Sequence, residues 1–116
     1  MDLTSKEAWV AVNGSRVDEV TTAQGKAYVR DMTAADYERY QQALIDAKTK
    51  DGNVSIVGLR ARLLSMTVCD ASGTLLLSEA DATALCSKAS KTFLEPVVDA
   101  AMKLNGLGVE EKPEKN

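Results

Sequence analysis

Apolar residues at helical spacing organise most of the chain. Tyr37, Tyr40, Leu44 and Ala47 fall at i, i+3, i+7 and i+10, one stripe of a helix. Thr33 and Asp36 stand just upstream in capping-box spacing and mark the start of that helix. The stretch from Lys48 to Asn53, with Gly52, reads as a loop. Ile56, Leu59, Leu63 and Met66 then resume the stripe and predict a second helix over residues 54–68, with Gly58 costing about 1 kcal/mol of helix propensity. Phe93, Val97, Ala100, Ala101 and Leu104 form another stripe, opened by Ser90 and closed by Asn105-Gly106. Pro96 lies inside it and removes one main-chain hydrogen bond, so a kink or restart is predicted there. Cys86-Ser87-Lys88 reads as a break or tight link ahead of this last helix.

The first thirty residues follow a different rhythm. Thr4 and Glu7 have capping-box spacing and predict a short helix from Ser5 to Val12, stopped by Asn13-Gly14. The competing reading is a hairpin with Trp9 to Val12 as one strand and Asn13-Gly14 as its turn. Val17, Glu19 and Thr21 alternate with Asp18 and Val20, and Ala27 and Val29 alternate with Tyr28 and Arg30. Two period-two runs around Ala23-Gln24-Gly25 predict a β-hairpin over 17–22 and 26–31. Two strands alone are marginal in water, so this hairpin must pack on helices or pair with another chain.

Composition narrows the class. A chain of 116 residues argues for one domain, here 1–108, with "VEEKPEKN", residues 109–116, as a charged and flexible tail. Apolar residues make up 45% but aromatics only 4%, so the core must come mainly from Leu, Val, Ala and Met. The fold class predicted is α+β, mainly α-helical, with a small N-terminal β-hairpin packed on about four helices. A net charge of -3 without a basic run argues against nucleic acid as a partner. No apolar stretch approaches the ~18–20 residues of a membrane span. The early acid and short apolar run of "MDLTSKEAWVAV" do not fit a signal peptide. Cys69 and Cys86 read as two reduced core thiols. The chain has no His, which removes the commonest general base, metal ligand and nucleophile partner. No enzyme activity and no cofactor is expected.

One stretch invites a metal reading. "DASGTLLLSEAD", residues 70–81, has the length of an EF-hand loop. Such a loop needs oxygen ligands at its first, third and fifth positions, Gly at the sixth and Glu at the twelfth. Here the fifth is Thr74, the sixth is Leu75 and the twelfth is Asp81, so the geometry fails. The structural reading uses every residue instead. Asp70-Ala71-Ser72-Gly73 is a type I turn, Thr74 to Leu77 is extended, and Ser78 with Asp81 boxes the start of a helix. Glu79 and Asp81 favour that first turn through the helix dipole.

The order of these pieces resembles a family. An Asp-x-x-Gly turn, a short extended run, "SEAD" opening a helix and a last helix ending in "LNGL" are similar to the tail assembly chaperones of long-tailed (siphovirus) phages. The segment "GKAYVRDMTAADYERY" agrees with it, and the resemblance spans about residues 5–107. Two positions depart from the pattern: Pro96, where such helices continue, and Leu77, where an aromatic is common. The resemblance implies a non-enzymatic role. Such chaperones coat the tape measure protein, keep it soluble, recruit tail tube protein and leave as the tube polymerises. It also implies a homo-oligomer, a frameshift-extended form of the same chain, and action in the host bacterial cytoplasm with absence from the mature virion. A structural tail-completion or neck subunit is the alternative.

Partner contact then points to a few apolar residues. Leu75, Leu76 and Leu77 are consecutive in an extended run, so they cannot all face one core. At least one must be exposed or lie at a subunit contact, unless the run is buried on both sides beneath the hairpin. Trp9 is the second candidate, as an exposed anchor or as a core residue. Leu107, at the end of the last helix, completes the set.

Overall fold

The computed structural model describes residues 2–12, 16–48 and 56–107. Its elements run α1 (Lys6–Val10), β1 (Val17–Thr22), β2 (Gly25–Arg30), α2 (Ala34–Lys48), α3 (Ile56–Thr67), β3 (Val68–Cys69), α4 (Glu79–Lys88) and α5 (Lys91–Leu104). The class is α+β and mainly helical. The three strands form one antiparallel sheet in the order β1-β2-β3.

The hairpin forms where alternation places it. Val17 pairs with Arg30 and Thr22 with Gly25, leaving Ala23-Gln24 as a two-residue turn. Gly25 begins β2 at φ 135°, a conformation that side chains disfavour, and the Thr22 hydroxyl ties the turn by donating to the Gly25 carbonyl at 2.6 Å. Val20, Ala27 and Val29 share the inner face and join the core, while Glu19 and Lys26 form an ion pair at 3.6 Å on the outer one. Helix α5 packs across β1 and β2. The hairpin is not alone, however. Val68 and Cys69 leave α3 and pair with Val29 and Tyr28, giving β2 a second neighbour.

The helices obey their predicted caps with instructive exceptions. Ser5, not Thr4, caps α1 by accepting from the Ala8 N–H at 3.1 Å. The Thr33 hydroxyl accepts from the Asp36 N–H at 3.1 Å, yet the Asp36 carboxylate does not complete a box. It turns instead toward Arg39 and Arg30. Ser78 and Asp81 make the full reciprocal box at the start of α4. The break predicted at Cys86-Ser87-Lys88 falls later. Helix α4 runs through Lys88, because the Ser87 hydroxyl donates back to the Thr83 carbonyl and does not compete with the helix. Ala89 is extended, and Ser90 caps α5. Helix α5 neither restarts nor breaks at Pro96, whose ring lies on an exposed face. The bond lost there belongs to the carbonyl of Thr92, which is also exposed.

Helix α3 is the centre of the molecule and touches α2, α4 and α5. Its Ala61, Leu63, Leu64 and Met66 are buried, with Leu94, Val97, Val98 and Ala101 of α5 in the same cluster. No helix among the described residues is long and apolar enough to cross a membrane. The expected Asn13-Gly14 stop, the loop over residues 49–53 and the tail over 109–116 lie outside the described residues.

Candidate functional site

The 70–78 segment is a strap that leads from the sheet into α4. Asp70 builds its first turn. One carboxylate oxygen accepts from the N–H groups of Ser72 and Thr74, at 2.8 and 3.1 Å, and from the Ser72 hydroxyl at 2.6 Å. The Gly73 N–H donates to the Asp70 carbonyl at 3.0 Å, as a type I turn requires. Gly73 itself sits at φ 94°, and a Cβ there would lie 3.3 Å from Val17. The Arg30 guanidinium donates to the Gly73 carbonyl at 2.9 Å and so anchors the strap to β2. Among the described residues no cluster of three or more His, Cys, Asp or Glu side chains could hold a metal. Asp70 is committed to the turn and Asp81 to the cap, and Glu79 pairs with Arg62 at 3.2 Å.

These bonds tune the acids. The Ser72 hydroxyl, then the main-chain N–H groups, hold the Asp70 carboxyl below the usual carboxylate range. Bonds from Ser78 do the same for Asp81. A carboxyl whose pKa is lower in the folded chain lends stability above its unfolded value, near 3.9, and loses it as pH falls through the lowered one. Some stability is therefore expected to be lost as pH falls below about 4, and the double variant Asp70→Asn, Asp81→Asn should flatten that limb of a pH–stability curve measured by urea titration.

The five candidate contact residues do not form one patch. Leu75 bridges to Cys69, Leu77 packs against the core, and Leu76 between them is 57% exposed. Burial on both sides is thereby ruled out for the run. Trp9 is 61% exposed, with its indole N–H donating to the Leu3 carbonyl at 3.1 Å. Leu107 differs from expectation, since it is only 9% exposed and belongs to the core. Its N–H donates to the Met102 carbonyl and the Gly106 N–H to the Lys103 carbonyl, with Gly106 at φ 65°. This is a Schellman cap, whose residue after the Gly folds back apolar-side-in.

Two features escaped the sequence. One is an N-terminal arm. Helix α1 has no buried residue, and Leu3, Trp9, Val10 and Val12 are all exposed, Val10 at 74%. The other is a cleft of about 280 Å³ where α3, α4 and α5 meet, lined in part by Cys86, Ala89, Leu94, Val98 and Met102. Cys86 is a free thiol on its wall, and Cys69 is a buried free thiol whose pKa is pushed up by burial, against a lowering by Arg30.

The geometry can be set beside solved structures. The bacteriophage HK97 tail assembly chaperone is similar at a TM-score of 0.58 and 15% identity, over 87% of this chain and 91% of that one. The chain has the tail assembly chaperone fold. Agreement over nearly the full length of both chains means that the hairpin and the helices compare as one unit. No protein-family model and no curated protein matches the sequence. The tail assembly chaperone fold is thus shared with little sequence, as expected where apolar character rather than residue identity sets the core.

Proposed function

We propose that this protein is a non-enzymatic tail assembly chaperone of a long-tailed phage, which binds the tape measure protein and helps recruit tail tube protein. The observation that carries this is the fold likeness to the HK97 tail assembly chaperone across 87% of the chain. Exposed apolar side chains on separate elements, Leu76 on the strap and Trp9 on the arm, support it. A chaperone of a long helical client binds through many weak apolar contacts, and multiplicity supplies the avidity. The role places it in the host cytoplasm and outside the mature virion, where a frameshift-extended form of the chain would act beside it.

Co-expression with the tape measure gene of the same phage tests this. The tape measure protein should stay soluble and co-purify with many copies of this chain. Leu76→Asp should lower that yield several-fold while leaving the circular dichroism spectrum unchanged, since Leu76 contributes little to the core. A tape measure protein that precipitates regardless, together with this chain found in purified virions by mass spectrometry, would make it a structural subunit instead.

A further inference from the structure

Little holds the strap to the rest of the molecule. Every residue from Asp70 to Ser78 is half-buried or exposed, whereas the flanks are firm: Cys69 is 2% exposed, and Ala82 of α4 is fully buried. The bonds at its ends are local. The Asp70 carboxylate accepts from Ser72 and Thr74, and the Ser78–Asp81 box closes within the first turn of α4. Among the described residues, two hydrogen bonds tie the strap to other elements. The Arg30 guanidinium donates to the Gly73 carbonyl at 2.9 Å, and the Leu76 N–H donates to the Val68 carbonyl at 3.1 Å. A segment with few buried apolar groups and few long-range bonds opens at a free energy well below that of global unfolding.

Arg30 is an unsettled latch. Its side chain is 18% exposed, and its Nε is buried without a hydrogen-bond partner among the described residues. A second acceptor stands near. The Asp36 carboxylate lies 4.0 Å from the guanidinium, beyond hydrogen-bond reach, and holds Arg39 with its other oxygen. A guanidinium can take a carboxylate through two parallel charge-assisted bonds, which a single carbonyl cannot match. The guanidinium therefore has two competing partners, one on the strap and one on α2.

We infer that the strap is a hinged lid with Arg30 as its latch, which opens when the guanidinium leaves the Gly73 carbonyl and closes on Asp36. The hinges are Asp70 and Ser78, whose local bonds survive the movement. Opening bares Leu75, Leu77 and Cys69 and frees the Val68 carbonyl on the edge of β3. One exposed leucine becomes three in succession, an apolar surface that an apolar segment of a protein partner can cover. That gain for a client rests on the proposed function, whereas the opening itself does not.

Cys69 reports on the lid. In a Cys86→Ser background it is the one thiol of the chain. Labelling of the folded full chain with N-ethylmaleimide, followed by mass spectrometry, should proceed at a rate that rises linearly with reagent and barely changes with urea below the unfolding transition. The Leu76 amide should exchange with the same opening constant, while the Leu64 amide keeps the protection of the core. Arg30→Met keeps the apolar stem and removes the latch, so Cys69 should label roughly tenfold faster. Asp36→Asn weakens the competing partner and should slow labelling about threefold. It does so while removing an acid from the first turn of α2, which lowers global stability. Opposite signs separate a lid from general loosening, which would speed labelling in both variants. Labelling that follows global unfolding in its urea dependence overturns the inference, as does faster labelling in Asp36→Asn. Should Arg30→Met fail to fold, the urea dependence of the parent chain and the Asp36→Asn rate still decide.

Discussion

Leu64→Ala is expected to remove about 3 kcal/mol of folding stability, within the range of about 2–5 kcal/mol found for buried Leu→Ala changes. Leu64 has no exposed surface and stands on α3, the helix that touches α2, α4 and α5 together. A cavity at that point cannot collapse easily, because filling it from one side opens a gap on another. A domain of this size has roughly 5–15 kcal/mol in all, so the loss is a large share of the total. It should lower the melting temperature by roughly 10 °C. Leu76→Ala provides the contrast. The same chemical change at an exposed position should fall within about 0.5 kcal/mol of wild type. Urea titrations of the two variants measure both. Equal losses would mean that α3 is not the centre of the core.

The two positions also show what the chain made readable. Helices α2, α3 and α5 are long enough for a stripe to repeat, so their apolar spacing reveals them. The α4 start is readable because Ser78 and Asp81 act on each other three residues apart, a purely local device. Strand β3 was hidden, since two residues cannot display a period and its pairing partners, Tyr28 and Val29, lie far back in the chain. Val68 therefore looks like the end of α3. Among contact candidates, strand alternation says only that Leu75, Leu76 and Leu77 cannot all face one side; which of them is exposed depends on how the strap lies on the sheet, and that is not a local property. Leu107 lies in the core, and Asn-Gly-Leu after a helix carries the Schellman signal that accounts for it: a Gly free to adopt positive φ, then an apolar residue. The cleft had no signal at all. Its walls come from three helices, and no local pattern records that Arg60, Cys86 and Leu94 will meet.

Asn105 supplies the second large effect, and its role was equally invisible from the sequence. It reads as a helix stop, yet its side chain binds three main-chain groups. Its carbonyl oxygen accepts from the Met32 N–H at 2.7 Å, and its amide donates to the carbonyls of Ala101 at 2.8 Å and Arg30 at 3.4 Å. The end of α5 is thereby tied to the link between β2 and α2, 73 residues apart in sequence for the Met32 bond. Asn105→Ala is expected to cost about 2–3 kcal/mol, because Met32 is buried and its N–H would lose its partner away from water. Gly106→Ala should cost less, about 1 kcal/mol, as it strains the turn at φ 65° without cutting the tie. Amide hydrogen exchange separates the two mechanisms. In Asn105→Ala the Met32 amide should exchange at least tenfold faster than in Gly106→Ala at matched overall stability. Equal Met32 protection in both would mean that the side-chain bond contributes nothing, and that packing of Leu107 alone holds α5 against the sheet.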